Sequence, residues 1–343
     1  MPPRPTLADV AKTAGVGIAT VDRVLNGRLP VREETAARVY EAAKALGYHA
    51  AEVMRRRAAE SLPLYSLAFI LQRPQQAFYQ AFHREIEAAC TSCRQARIVP
   101  DIHFVAAQTP SAMADLMKAA GAKNMAVAAV SPDYPALSGI VHDLRDRGVP
   151  VMSVLSDMAQ GVRDTYIGVD NYKAGRTAAW IISHGAKRPG KVAVLIGSHR
   201  FHGHELREVG FRSFFREKTG SFEVLDTFVN METTEITYEM TSDLLAKHPD
   251  LAGLYVAGGG MEGAIAAVRD EGFTGKVQLV VNELTPETRS GLADEVVTAV
   301  VNTPLEKLAR QLVDLMARAI ERGPSTGLGQ IFLPFELYTP ENI

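Results

Sequence analysis

From Thr6 to Asn26 the apolar residues recur at helical spacing. Leu7, Val10 and Ala11 fall at i, i+3 and i+4, and Ile18, Val21 and Leu25 give a second inward face. Thr6 is placed to cap the first helix with its hydroxyl, and Gly15 supplies the left-handed residue that ends it. The spacing predicts two short helices, Leu7–Ala14 and Ile18–Asn26, joined by a tight turn, with Ala19, Thr20, Asp22 and Arg23 pointing outward. A third helix is predicted over roughly Glu33–Leu46. Residues 49–64 read as a linker. From Ser66 the pattern changes to apolar strands separated by helical stretches. The strands predicted are Leu67–Leu71, Ile102–Val105, Met125–Val130, Val149–Leu155, Thr165–Val169, Val192–Ile196, Glu223–Phe228, Gly253–Val256, Val277–Val281 and Val296–Val301. Continuous apolar strands with helical crossovers imply parallel sheets covered on both faces. Some ten of them exceed one simple unit, so two doubly wound lobes are expected.

A chain of 343 residues, 47% apolar, buries a sizeable core in two or three domains. The formal charge of −2 says little, but its distribution says more. Residues 1–61 hold ten Lys/Arg against seven Asp/Glu, a net +3 that leaves −5 on the remainder. Basic character therefore concentrates where phosphate contacts would be made. Two cysteines, Cys90 and Cys93, cannot form a disulfide framework. The N-terminus lacks a basic-then-apolar leader and no apolar run reaches membrane-spanning length, so a cytoplasmic protein with no membrane partner is expected.

The stretch Thr6–Asn26, followed by Val31-Arg-Glu-Glu-Thr-Ala-Ala-Arg-Val-Tyr-Glu-Ala-Ala-Lys-Ala-Leu-Gly-Tyr48, resembles the DNA-binding headpiece of the lactose-repressor (LacI/GalR) family of bacterial transcription regulators. The resemblance implies that the second helix enters a DNA major groove. It would place Thr20, Arg23 and Asn26 on phosphates or bases, and Ala19 and Asp22 against base edges. Thr6, Gly17, Ile18 and Arg28 complete the DNA-facing set, with Arg55 and Arg57 from the linker. The chain departs from the family at several points. Asp22 and Gly17 replace usual serines, so a changed operator preference is expected; a carboxylate accepts from the cytosine amino group but repels phosphate. Ala50 and Ala51 stand where a Pro-Asn pair is usual, and Arg57 where a minor-groove wedge leucine is usual. A minor-groove hinge helix and a solvated basic linker contacting only phosphates both remain open.

The alternating segments resemble a periplasmic-binding-protein-like effector domain. The implied organisation is a headpiece over residues 1–48, a hinge over 49–64 and an effector domain over 65–343. Its N-lobe would take about 65–164 and 303–325, and its C-lobe about 165–302 and 326–343. Crossings between lobes are expected near Asp164, near Asn302-Thr303 and around Gly323–Gly329. Ligands of open α/β sheets sit outside the carboxyl ends of the strands. A sugar there needs groups that both donate to and accept from hydroxyls, plus aromatic faces. Gln76, Phe78 and Tyr79 follow the first strand, Asp157 the fourth, His204 and Arg207 the sixth, Glu283 the ninth, and Asn302 stands at the last crossing. Gly259 falls where many relatives place asparagine or aspartate.

The expectation is thus an all-α headpiece on an α/β two-lobed domain, acting as a repressor. It would bind double-stranded, palindromic operator DNA as a homodimer and sense a sugar, a polyol or a related polar metabolite, with no enzymatic activity, cofactor or metal. Other patterns compete. Gly258-Gly-Gly260-Met-Glu-Gly263 fits G-x-G-x-x-G after a strand, with Glu283 about 20 residues on, as a nicotinamide-dinucleotide enzyme would require. A solute-binding protein would share the two lobes. Cys90-Thr-Ser-Cys93 has redox spacing but lies at the wrong end of a helix to activate a thiol. His199, His202 and His204 invite a metal reading, although a polar cleft rim accounts for them.

Overall fold

The computed structural model describes residues 5–26, 31–48, 62–105, 107, 109–217, 222–323 and 329–343. Residues 49–61 of the predicted hinge, with Ala50, Ala51, Arg55 and Arg57, and also Arg28, lie outside the described residues, while its last residue, Leu64, already belongs to a strand.

The N-terminal unit holds three helices: α1 (Leu7–Ala14), α2 (Ile18–Asn26) and α3 (Glu33–Ala45). A reciprocal capping box opens α1. Thr6 N–H donates to Asp9 Oδ2 at 2.8 Å, and Asp9 N–H donates to Thr6 Oγ1 at 3.3 Å. Gly15, at φ 65°, closes the helix in the left-handed region. Val10, Ala11, Ala14, Val21, Val39, Ala42, Ala43 and Tyr48 form the small core, with Val24 packed against it. Ile18 departs from expectation. It is 54% exposed rather than inward. At 100° per residue, Ile18 lies about 120° around α2 from Val24, so a buried stripe through Val21 and Val24 leaves it at the margin.

The remaining elements form two sheets. The first has order β2–β1–β3–β4–β5–β12, built from β1 (Leu64–Leu71), β2 (Arg97–Phe104), β3 (Ala126–Ala129), β4 (Val151–Val154), β5 (Thr165–Val169) and β12 (Gly329–Leu333). Helices α4 (Ala77–Ser92), α5 (Pro110–Lys123) and α6 (Pro135–Asp146) are its crossovers. The second sheet has order β7–β6–β9–β10–β11–β13, with β8 also on β6. Its strands are β6 (Lys191–Ile196), β7 (Glu223–Val224), β8 (Phe228–Val229), β9 (Leu251–Val256), β10 (Gln278–Asn282), β11 (Ala299–Asn302) and β13 (Glu336–Tyr338). Helices α7 (Asn171–Gly185), α8 (His202–Glu217), α9 (Thr234–Lys247), α10 (Met261–Asp270) and α11 (Pro286–Ala293) accompany it, while α12 (Leu305–Arg322) returns to pack on α4 and β3.

The apolar runs work as parallel strands because successive residues feed opposite faces. Along β6, Val192, Val194 and Ile196 enter one buried cluster while Ala193 and Leu195 enter the other. β13 runs antiparallel to its neighbour β11.

The pairing moves two expected crossings. β5 lies between β4 and β12 in the first sheet, so Thr165–Val169 belongs to the N-lobe and the chain crosses after Val169, not near Asp164. β12 is also a first-sheet strand, so the last crossing falls between Leu333 and Glu336 rather than around Gly323–Gly329. An apolar pentad reads the same in either lobe; only its hydrogen-bonded neighbours assign it. Between these two crossings, β11 ends at Asn302 in the second sheet and α12 begins at Leu305 and packs on α4 and β3. The predicted strand Glu223–Phe228 is two short pieces on β6.

Candidate functional site

A cavity of about 70 Å³ opens at the carboxyl ends of the strands, between the two lobes. Room of that size holds about five waters. The N-lobe reaches it through Gln76–Tyr79 at the start of α4, Val130 after β3, and Leu155 and Ser156 after β4. The C-lobe contributes Phe201 just before α8, Gly203, His204 and Arg207 from its first turns, Glu232 after β8, the glycines after β9, and Asn282 and Glu283 at the end of β10.

Arg207 is held from two sides. Its Nε donates to Asn171 Oδ1 at 2.7 Å and its Nη1 to the Ala257 carbonyl at 2.8 Å. The remaining nitrogen, Nη2, forms an ion pair with Glu283 Oε1 at 3.9 Å, longer than a hydrogen bond. Glu283 is itself seated by Thr303, whose N–H and hydroxyl donate to its two oxygens at 2.9 and 2.8 Å. Burial raises the Glu283 pKa, with Arg207 and Thr303 pulling against it. Glu283 also occupies the left-handed region at φ 68°, a strain that this seating sustains.

His204 is buried, and burial lowers its pKa to about 4 although the Glu232 carboxylate 3.6 Å away favours the charged form. The ring is therefore neutral at physiological pH, and its Nδ1 is buried without a hydrogen-bond partner. Glu232 accepts from Gly259 N–H at 3.2 Å and lies 3.3 Å from Arg73 Nε of the other lobe. Arg73 Nη2 donates to the Met231 carbonyl at 2.7 Å, and Gln76 Nε2 to the Glu232 carbonyl at 3.2 Å. These contacts latch the lobes beside the cavity, with Arg73, Met231 and Glu232 all at positive φ.

Of the residues expected from sequence, Gln76, Phe78, Tyr79, His204, Arg207, Gly259 and Glu283 line this cavity. Asp157 does not. It is 3% exposed and turned into the N-lobe, where Arg163 Nε and Nη2 donate to it at 2.6 and 2.8 Å and Ser153 Oγ at 2.6 Å. Burial alone would raise its pKa, but the Arg163 guanidinium and the Ser153 hydroxyl outweigh that and hold it below the usual value. The cause is Leu155 at φ 64°, which turns the chain so that Leu155 and Ser156 meet the cavity. Asn302 is also structural: its Oδ1 accepts from Leu284 N–H at 2.9 Å and its Nδ2 donates to Glu336 at 3.1 Å. Sequence reasoning missed Glu232 and Asn282. Glu232 follows a two-residue strand with no apolar run to mark its end, whereas Asn282 directly precedes Glu283 and was within reach of the strand-end argument.

In the headpiece, Gly17, Ile18, Ala19 and Arg23 are exposed along α2, and Thr20 and Asp22 are half-buried. Thr6 is engaged in the capping box, and Asn26 closes the helix.

The competing motifs acquire structural explanations. In the glycine run, a Cβ on Gly263 would collide with the Thr234 carbonyl oxygen where α10 packs on α9, and one on Gly258 would lie 2.8 Å from His204 Cε1. Close packing thus demands these glycines without a pyrophosphate. His199 and His202 face different acids, Glu208 at 3.8 Å and Glu205 at 3.3 Å, while His204 turns to the cavity. Cys90 is buried and its thiol is pushed up to about 12, chiefly by burial; Cys93 lies just past the helix end.

A three-helix unit with an exposed second helix, followed by a two-lobed α/β domain with a strand-end cleft, defines the class of a DNA-binding module joined to a small-molecule-binding domain. Family comparisons agree. Residues 6–50 match the bacterial regulatory proteins of the lacI family, and residues 67–324 match the periplasmic binding protein domain. The chain belongs to the periplasmic binding protein domain family over most of its length and carries at its N-terminal end a DNA-binding domain of the lacI family of bacterial regulatory proteins. It is 27% identical over 212 residues to the sucrose operon repressor of Streptococcus mutans, 62% of each chain, so the match spans less than two thirds of that relative. It is 21% identical to the HTH-type transcriptional regulator GalS of Salmonella typhimurium over 80% of this chain and 78% of that one. Among solved structures, the glucose-galactose binding protein GanP of Geobacillus stearothermophilus superposes with a TM-score of 0.74 at 18% identity, covering 82% of this chain and 99% of that one. A solute binding protein of Burkholderia graminis in complex with D-arabinose gives 0.74 at 18%, covering 81% and 96%. These two establish likeness of fold. Among the described residues no helix is long and apolar enough to cross a membrane.

Proposed function

We propose that this protein is a ligand-responsive transcriptional regulator, a repressor that binds a palindromic operator as a homodimer and senses a sugar or polyol in the interlobe cleft. One observation carries the reading: a helix-turn-helix with exposed Ala19 and Arg23 shares a chain with a cleft furnished by Arg207, His204 and Glu232. A single headpiece covers half an operator, and two-fold symmetry doubles the contacts. A cavity with room for about five waters suits one monosaccharide ring. The names of two relatives, a sucrose operon repressor and GalS, support the regulatory role, and the first supports a saccharide effector. Ligand and DNA affinities are then coupled reciprocally, typically by about 1–3 kcal/mol. A transported-solute receptor would share the cleft but would have no use for helices α1–α3.

The test is Arg23→Ala in the full chain, with binding to an operator duplex selected by the wild type and followed by fluorescence anisotropy. We expect a loss of about 1–3 kcal/mol in operator affinity with the melting temperature unchanged. Unaltered affinity and sequence preference would show that α2 is not the reading element.

A further inference from the structure

The two walls of the cleft differ in chemistry. On the N-lobe side Ala77, Phe78, Val130 and Leu155 present hydrocarbon. The polar groups beside them are engaged: Gln76 donates to the Glu232 carbonyl, and Ser156 Oγ accepts from Gly203 N–H at 3.2 Å. Tyr79 adds a phenol on a ring that is 7% exposed. The C-lobe wall, apart from Phe201 and Met261, is polar and under-satisfied. Arg207 Nη2 meets Glu283 only at 3.9 Å, His204 Nδ1 is buried without a partner, and Glu232 Oε2 meets Arg73 without hydrogen-bond geometry. Charge adds a second constraint. Glu232, Glu262 and Glu283 line the cavity, and the neighbouring guanidinium groups already face carboxylates, Arg73 facing Glu232 at 3.3 Å and Arg207 facing Glu283 at 3.9 Å, so an anionic ligand is opposed.

A fully hydroxylated hexose carries hydroxyls around its whole rim. Seated here, those facing Val130 and Leu155 would lose water without gaining partners, and each buried unpaired hydroxyl lowers affinity about tenfold or more. A ring bearing a methyl or a missing hydroxyl on that side escapes the loss and adds apolar contact. Resting on the reading above that the cleft senses a sugar, we propose that the effector is an uncharged deoxy sugar. Its deoxygenated edge lies on the wall of Ala77, Phe78, Val130 and Leu155 and its hydroxyls face His204, Arg207 and Glu232, with Leu155 and Val130 setting the preference.

The test is calorimetric titration of the full chain with matched pairs: D-fucose against D-galactose, D-quinovose against D-glucose, L-rhamnose against L-mannose, and D-galacturonate as the anionic probe. In at least one pair the deoxy sugar should bind about tenfold more tightly than its parent, about 1.4 kcal/mol, with no binding of galacturonate. Leu155→Asn is the second variant. Leu155 sits at φ 64°, where asparagine is better tolerated than leucine, so the fold should hold. It should narrow the ratio by improving the parent and weakening the deoxy sugar. Parents binding as tightly as their deoxy partners, or tight galacturonate, overturn the proposal and leave sugar sensing in place. An unchanged ratio in Leu155→Asn overturns the role given to that residue. Absence of binding by every saccharide overturns the proposal together with sugar sensing, while operator binding by the same preparation stands separately.

Discussion

Asp157 stands where the sequence expects a ligand carboxylate, yet the structure makes it one half of a buried ion pair, and the two roles predict different outcomes for Asp157→Ala. Both Asp157 and Arg163 are 3% exposed. The carboxylate accepts from Arg163 at 2.6 and 2.8 Å, from Ser153 at 2.6 Å and from Gln330 at 3.3 Å; Arg163 Nη1 also donates to the Gly329 carbonyl at 3.0 Å. The cluster therefore ties the β4–β5 connection to β12. Removing the carboxylate leaves a guanidinium buried with one remaining acceptor, a change that costs about 3–5 kcal/mol. At roughly 2–4 °C per kcal/mol the melting temperature should fall by on the order of 6–20 °C. Replacing both partners, Asp157→Leu with Arg163→Met, should recover much of that, because no uncompensated charge remains. The assay is thermal unfolding of the full chain, paired with effector titration at a temperature where the variant is folded. The folded pKa of Asp157 lies below its unfolded value, so its contribution is present above about pH 4 and is lost as pH falls through the folded value. A melting temperature unchanged in Asp157→Ala, with effector affinity abolished, would refute the structural assignment and restore Asp157 to the cleft.

Three further outcomes follow from the same geometry. His204 takes up its proton in the unfolded chain at the ordinary 6.5 but only near 4 when folded, so stability should decline as pH falls from 6.5 towards 4. That loss amounts to about 3 kcal/mol, and His204→Gln should flatten the dependence measured by denaturant melts at several pH values. Thr6→Ala removes the hydroxyl that accepts from Asp9 N–H and donates to Asp9 Oδ2, leaves the Thr6 backbone bond to Asp9 in place, and should destabilise the headpiece by about 1 kcal/mol, read as an earlier loss of helical circular dichroism with effector binding unaltered. Gly263→Ala forces α10 away from the Thr234 carbonyl and should cost about 1–3 kcal/mol; an unchanged melting temperature would argue that close helix packing does not explain this glycine.

Local features of this chain were readable because they depend on near neighbours. The limits of α1 and α2, the Thr6 cap, the Gly15 stop and the apolar β6, β9 and β10 follow from periodicity and cap chemistry over a few residues. The strand-end rule then brought Arg207, His204, Gln76 and Glu283 to one place, since parallel strands deliver the residues after their carboxyl ends to a common edge. Tertiary structure decided the rest. Whether Thr165–Val169 joined the first or the second sheet depended on hydrogen bonds to β4 and to β12, 164 residues later in the chain at Gly329↔Thr165. The one-residue register after β4 depended on the left-handed turn at Leu155, which sent Asp157 inward to Arg163 and left hydrocarbon facing the cleft. Glu232 became a cleft residue only because a second lobe brought Arg73 and Gln76 against it. Helical periodicity and capping are short-range and written in adjacent residues, whereas the chemistry of a cavity is set by which distant surfaces share it.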